Sequence, residues 1–339
     1  MVLHRMTFTV VLAAGVVFCG FSTVCGKTWH LDKDQQWQDL SDQQGHRYIS
    51  AVAEIKQLVS SGQTDAAGRA FDKLKNDFPE IAGPDLDAFI KAEMLYCQGR
   101  FSKAVVAYDK FLGEFPESTF YQAALDRQFA IATAFLAGQK KTVLRVFKIR
   151  GYAAGVHIME KITDRAGQAP IGLKAAVAVA ENYEKRKKFN HAYDKWSQIA
   201  SQYGSSSEAG KQALLSMARC KHAAYRGHSY DASDLISAKS YYQSFQLRYP
   251  KDAEAIDVES IIRQINNQLS YKQFSIGRYY QETGSRLSAN LYYQMVMDNW
   301  PQTEAAEMAK TAIETENMPR EKEKPWKQTP VEKLVDLLL

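Results

Sequence analysis

Ala289-Asn290-Leu291-Tyr292-Tyr293-Gln294-Met295-Val296-Met297-Asp298-Asn299-Trp300-Pro301 spaces a small residue, an aromatic, an aliphatic and a second aromatic at steps of four, three and four, then ends on Pro. Those steps keep Ala289, Tyr293, Val296 and Trp300 on one face of a helix, and Pro301 stops it. Four more copies lie upstream: Ala67-Phe71-Leu74-Phe78-Pro79, Ala104-Tyr108-Phe111-Phe115-Pro116, Ala192-Trp196-Ile199-Tyr203-Gly204 and Ala238-Tyr242-Phe245-Tyr249-Pro250. A sixth is degraded. Ala154 and Ile158 begin it, but Lys161 and Arg165 fall on the next two positions, and sliding by one residue to Gly155-Met159-Ile162-Ala166 restores an apolar face. The anchor alanines are 37, 50, 38, 46 and 51 residues apart, a stretched but unbroken period. The chain reads as an all-α helical repeat protein.

A small anchor lets a neighbouring helix approach closely, and the large residues after it fill the adjacent groove. The segments before each anchor supply that neighbour, as with Val179, Ala180 and Tyr183 before Ala192, or Ile276, Gly277 and Tyr280 before Ala289. Gly62 and Gly99 sit five residues before their anchors, where two helices need a short turn. The layout resembles the tetratricopeptide repeat, with its small, large and Pro positions spread over a helix-turn-helix pair. The resemblance implies a right-handed solenoid of about six helix pairs. Lys140–Gly151 in repeat three and about eight residues within 226–235 in repeat five lengthen the inter-helix turns.

A chain of 339 residues commonly forms two domains, but a solenoid grows by stacking. Four of nine prolines stand at repeat ends, leaving long stretches free to be helical. The net charge of +5 is evenly spread, which does not point to nucleic acid. At the N-terminus, His4 and Arg5 precede an apolar run from Met6 to Phe21, with small residues before Lys27. This has the form of a secretory signal, short for a membrane-spanning helix, with an uncleaved anchor as the alternative. Cys25 is a candidate lipidation site, although Ser22, Thr23 and Val24 make a poor lipobox. Cys97 and Cys220 read as packed small apolar residues.

Catalytic chemistry is not evident. Gly204-Ser205-Ser206-Ser207-Glu208-Ala209-Gly210-Lys211 superficially resembles a phosphate loop, but its glycines are one residue too far apart and Gln212 follows the Lys. An inter-repeat turn with Ser206 or Ser207 capping the next helix accounts for it better. Cys220, His222 and His228 match no common metal spacing. Glu181 and Glu184, three apart on a helix, read as a polar face rather than an acid/base pair. No hydrolase, zinc-protease or dinucleotide signature occurs. The chain reads as a non-enzyme that needs no cofactor.

In tetratricopeptide arrays the first helices of successive repeats line a concave surface for partner segments. By that resemblance the candidate partner-binding positions are Phe89 and Glu93 in repeat two, Glu181 and Glu184 in repeat four, and Phe274, Arg278 and Gln281 in repeat six. A narrower likeness then emerges. Tyr271–Gly284 through Asn299–Ala309, the Gly99–Ala104 stretch with Tyr108–Pro116, and Ala238–Pro250 resemble the BamD family of outer-membrane assembly lipoproteins, also called YfiO- or ComL-like. The likeness covers about residues 48–312. It implies a periplasmic scaffold at the inner face of the outer membrane, touching a barrel assembly subunit and unfolded barrel clients. The chain departs from the family in its poor lipobox and in six helix pairs where five are usual. The alternative is a general periplasmic adaptor for cell-wall or division proteins.

The expected organisation is a signal segment at 1–26, a linker at 27–47, the solenoid at 48–312 and a tail at 313–339. The tail is rich in charge and Pro over Glu314–Thr329, which suits a flexible linker. Val331, Leu334, Val335 and Leu338 then share one helical face. Nine residues do not hold a helix alone, so that segment either caps the last repeat or inserts into another protein.

Overall fold

The computed structural model describes residues 29–31, 37–39, 43–143 and 147–317. Two compact units divide the chain at residues 1–100 and 101–339. Cys25, the apolar run Met6–Phe21 and the segment Val331–Leu339 lie outside the described residues.

In the first unit, strands β1 (Trp29–Leu31) and β2 (Trp37–Asp39) pair antiparallel with Trp29 opposite Asp39. Helices α1 (Gln43–Ser60), α2 (Thr64–Asp77) and α3 (Pro84–Cys97) follow, with a 3-10 turn at Pro79–Ile81. The stretch expected to be a linker, 27–47, therefore holds two short strands and the start of α1. Three-residue strands are too short to leave a readable alternation. The core is built from the expected positions: Ala67, Phe71, Leu74 and Phe78 are buried with Ile55 and Val59. Tyr48 meets Phe78 edge-on, ring centres 5.2 Å apart.

The second unit runs through α4 (Phe101–Glu114), α5 (Tyr121–Leu136), α6 (Tyr152–Ala166), α7 (Pro170–Lys185), α8 (Phe189–Tyr203), α9 (Glu208–Ala224) and α10 (Ser233–Arg248). It ends with the short α11 (Pro250–Ala255), the long α12 (Val258–Glu282), α13 (Arg286–Asn299) and α14 (Glu304–Asn317). From α5 onward each helix packs chiefly on the helices just before and after it. That nearest-neighbour pattern is the signature of a repeat stack. Ala104, Ala192, Ala238 and Ala289 are fully buried, as are Tyr108, Trp196 and Tyr293 four residues later. In repeat three the slipped register is the one used: Gly155, Met159 and Ile162 are buried. A Cβ on Gly155 would lie 2.9 Å from the Ala132 carbonyl oxygen, so α6 crosses α5 too closely for a larger residue.

Tight turns between paired helices share one hydrogen-bond scheme. The N–H of Gly62, Gly99, Gly138 or Gly284 bonds a carbonyl three residues back, and the next N–H bonds one five back. This is the Schellman arrangement, which needs a left-handed residue at its centre and so favours Gly. Repeat four makes the same bonds around Lys187, at φ 57°. Repeat three departs most. The stretch expected to be a long turn, Lys140–Gly151, contains an antiparallel hairpin of β3 (Lys140–Val143) and β4 (Phe147–Arg150), with Lys140 opposite Arg150.

Beyond the sixth helix pair, α14 packs on α12 and α13 through Ala305, Ala306 and Ala309. Glu304, Glu307, Lys310 and Glu314 stay outside. A polar outer face over an apolar inner one is what a terminal repeat element requires. No helix of the described residues is long and apolar enough to cross a membrane.

Candidate protein-binding surface

The longest helix of the second unit organises its C-terminal part. Asp257, at φ 51°, caps α12 by accepting from the Ser260 N–H at 3.2 Å. Gly277 lets α13 come close: a Cβ there would sit 2.7 Å from Tyr293 Cε1. The loop between α9 and α10 folds against α12. Lys272 Nζ donates to the His228 carbonyl at 3.1 Å and to the Tyr230 carbonyl, and the His228 and Tyr271 rings meet edge-on at 5.2 Å.

Loop, α12 and α14 enclose a cleft of about 700 Å³, with Tyr225, His228, Gln264, Asn267, Gln268 and Tyr271 among its walls. A second cleft of about 460 Å³ shares Gln264 and Asn267 and continues past Asn266 to Asn299 and Gln302. Gln264, Asn267, Gln268 and Tyr271 follow one another at three, one and three residues, a single helical face. His222 Nε2 lies 3.1 Å from Gln268 Oε1.

The outer face of α13 carries a row of exposed apolar side chains. Leu287 and Leu291 are 89% and 61% exposed, and Met295 continues their i, i+4, i+8 row. They stand opposite the buried Ala289, Tyr293 and Val296. Tyr279 on α12 is also 61% exposed. Exposed leucines in a row, rather than scattered singly, mark a surface suited to protein contact.

The positions expected to line a concave partner surface are placed as follows. Phe89 and Glu93 of α3 are buried, the latter only 2% exposed. Phe274 is buried too, with its ring centre 5.4 Å from that of Tyr293. These three serve the core rather than an open groove. Glu184 accepts from the Nε1 of buried Trp196 and pairs with Arg219 at 3.2 Å, while Glu181 is half-buried one turn earlier. Gln281 accepts from the Tyr293 hydroxyl at 2.7 Å. Both acceptors precede their aromatic partner by twelve residues and satisfy a polar atom that burial would otherwise orphan. Arg278 alone is exposed, in an i, i+4 pair with Glu282 at 3.5 Å.

Sequence reasoning passed over the amide row of α12. Its signal was present, since Gln264, Asn266, Asn267 and Gln268 crowd into five residues of an otherwise apolar-periodic helix.

The phosphate-loop lookalike is a turn. Ser207 accepts from the Gly210 N–H at 2.9 Å as the cap of α9, and a Cβ on Gly210 would collide with the Gly204 carbonyl oxygen. Cys97 and Cys220 are free and buried, and burial foremost, then Glu184, pushes the Cys220 thiol up to about 12. Among the described residues no group of three His, Cys, Asp or Glu side chains is placed to hold a metal ion.

Comparison with known proteins adds one family. The family model YfiO, outer membrane lipoprotein, matches residues 212–331. No curated protein matches the chain. Among solved structures, PilW, described as a widely conserved type IV pilus biogenesis factor, is similar at 14% identity over 77% of this chain and 97% of that chain, with a TM-score of 0.27. From within α9 to beyond α14, the part that carries the clefts and the open face of α13, the chain is similar to the YfiO outer membrane lipoproteins.

Proposed function

We propose that the protein is a non-enzymatic scaffold of the bacterial envelope, binding partner proteins during assembly of outer-membrane β-barrel proteins. The observation that carries this reading is a coincidence of place. The YfiO match spans residues 212–331, and the exposed Leu287–Leu291–Met295 row falls inside it. Burying one such leucine against a partner contributes roughly 1.5–3 kcal/mol, so the row supplies a useful anchor for an interface. The helix stack holds that face on rigid elements, which suits assembly of a multiprotein machine. Export through the Met6–Phe21 segment would place the protein in the periplasm, with partners or a lipid on Cys25 holding it at the inner face of the outer membrane.

The test is affinity purification from native envelopes in mild detergent, with co-purifying proteins identified by mass spectrometry. Stoichiometric recovery of an Omp85-type barrel subunit is the expected result. Recovery of peptidoglycan or division proteins without any barrel subunit would overturn the assembly reading. The anchor is tested separately with Cys25→Ser: release into the soluble periplasm supports lipidation, and unchanged membrane association contradicts it.

A further inference from the structure

We infer that the edge of the second unit formed by the β3–β4 hairpin and the α7–α8 turn docks on an anionic lipid surface. The inference rests on the envelope reading only for which membrane the protein meets.

Charge is evenly spread along the sequence, but the fold gathers cations at this edge. Asn182 Nδ2 of α7 donates to the carbonyl of Leu136, the last residue of α5, at 3.1 Å, which brings the C-terminal ends of the two helices together. Tyr152 then bridges the connections that follow them. Its hydroxyl accepts from Arg150 Nη1 at 3.4 Å, and the Arg186 guanidinium lies 4.3 Å from its ring centre. Lys140, Arg150, Lys185, Arg186, Lys187 and Lys188 are all exposed, and none of the six forms an ion pair with a described residue. The acidic groups around them are committed elsewhere: Glu184 to Trp196 and Arg219, and Asp234 to Lys221.

Three local preferences are broken to hold positive charge here. Lys140 stands directly opposite Arg150 in the hairpin, where like charges repel. Lys187 has φ 57°, the left-handed position that Gly fills in other turns. Lys188 is the N-cap residue of α8 and makes no side-chain cap. A hydroxyl or carboxylate there would bond the free N–H groups, whereas a cation opposes the helix dipole. Lys185 and Arg186, at the C-terminal end of α7, suit that dipole; the other four gain nothing from the fold. Local rules broken without a compensating contact mark a functional surface.

The arrangement selects the ligand. The cations stand on exposed turns rather than in a pocket, and the cleft beside Lys188 also carries Asp231 and Asp234, so it does not suit a small anion. An extended layer of anionic headgroups meets several of them at once, each strengthening binding by roughly fivefold. A single acyl chain holds a protein to a membrane only marginally, and stable attachment takes a second signal such as a basic patch. A lipid on Cys25 would leave that need open, and this edge fills it.

The probe is co-sedimentation of the purified full-length chain with phosphatidylcholine vesicles, with and without phosphatidylglycerol. Preference for the vesicles containing phosphatidylglycerol, fading as salt is raised, is the expected result. Equal binding to both kinds of vesicle, or to neither, overturns the inference. Lys185→Gln/Lys188→Gln should weaken the binding by about tenfold. Lys187→Gly should weaken it by about fivefold while the urea midpoint holds or rises, a loss that misfolding does not produce. Unchanged vesicle binding in both variants overturns the inference, and their loss of a co-purifying acidic protein instead would assign the cations to that protein. Vesicle preference without any co-purifying barrel subunit would support the surface while removing the assembly reading. Barrel recovery without vesicle preference would do the reverse.

Discussion

Repeats three and six of the second unit solve one packing problem with different residues. In repeat six, α13 places Ala289, Tyr293 and Val296 in the core as the pattern requires, and a tight turn at Gly284 links it to α12. In repeat three the same inner face is formed one residue later, by Gly155, Met159 and Ile162. The slip turns Lys161 and Arg165 to the flank of α6, where both reach Asp109 of α4, at 2.7 and 2.6 Å. Gln128, fully buried, adds a hydrogen bond to the same carboxylate at 2.9 Å. Burial alone would raise the Asp109 carboxyl. The hydrogen bonds from Lys161, Arg165 and Gln128 outweigh it and hold the group below its ordinary value. The outer faces differ more. α6 exposes His157 and Asp164, whereas α13 exposes Leu287 and Leu291. Inner faces set the fold and tolerate a slip of register, while the outer faces of the two repeats differ in chemistry.

The largest effect that separates the two repeats is expected from truncating the inner face. Tyr293→Ala removes a fully buried ring and the hydroxyl that Gln281 accepts from, and should cost about 3–5 kcal/mol. Lys161→Ala, at a partly exposed site, should cost about 1 kcal/mol or less. Urea unfolding followed by helical circular dichroism measures both, and equal losses would erase the distinction.

Gly277→Ala asks whether close approach is as strict in repeat six as the inner face suggests. Its methyl would press on the Tyr293 ring, for an expected loss of about 1–3 kcal/mol. A neutral outcome would mean that α12 and α13 can part without penalty.

Asp109→Asn probes the device peculiar to repeat three, with an expected loss of about 1–2 kcal/mol at neutral pH after allowing for its partial exposure. The sign with pH follows from the lowered value. The stabilisation is fully present above the unfolded carboxylate value of 3.8 and is lost as pH falls through the folded value. The gap between wild type and variant should therefore hold above about pH 5 and close in stronger acid. A gap that widens on acidification would contradict the ion cluster.

The smallest effect is a gain. Lys187 occupies the left-handed position that Gly62, Gly99 and Gly284 fill in their own turns. Lys187→Gly should stabilise by up to about 1 kcal/mol, read as a rise in the urea midpoint. A loss would show that the Lys187 side chain contributes more than its backbone costs.

The helix pairs were legible because spacing carries them. Every anchor Ala and the large residues four and seven after it were readable, including the slipped register at Gly155. The stretch after Lys140 reads as a turn, although Thr142, Val143, Phe147 and Ile149 carry the β-branched and aromatic signal of strands. Each of its strands has only four residues, too few for a clear alternation. The partner surface was less legible for a physical reason. Counting back from an anchor finds the partner helix but not its rotation, so Phe89, Phe274 and Glu93 read as groove positions although they pack inside. Glu184 and Gln281 look like surface polar residues until their partners Trp196 and Tyr293 are seen to need an acceptor. The exposed row on α13 hides in sequence, because Leu287 and Leu291 resemble core residues unless the buried face is already fixed.

Site-specific photo-crosslinking in native envelopes, with a photoreactive residue at Leu291 in one strain and at His157 in another, tests most directly whether the outer face of α13 is where partners dock. The expected result is a discrete adduct with an envelope protein from position 291 and none from position 157. The same adduct from both positions, or none from 291, would contradict it.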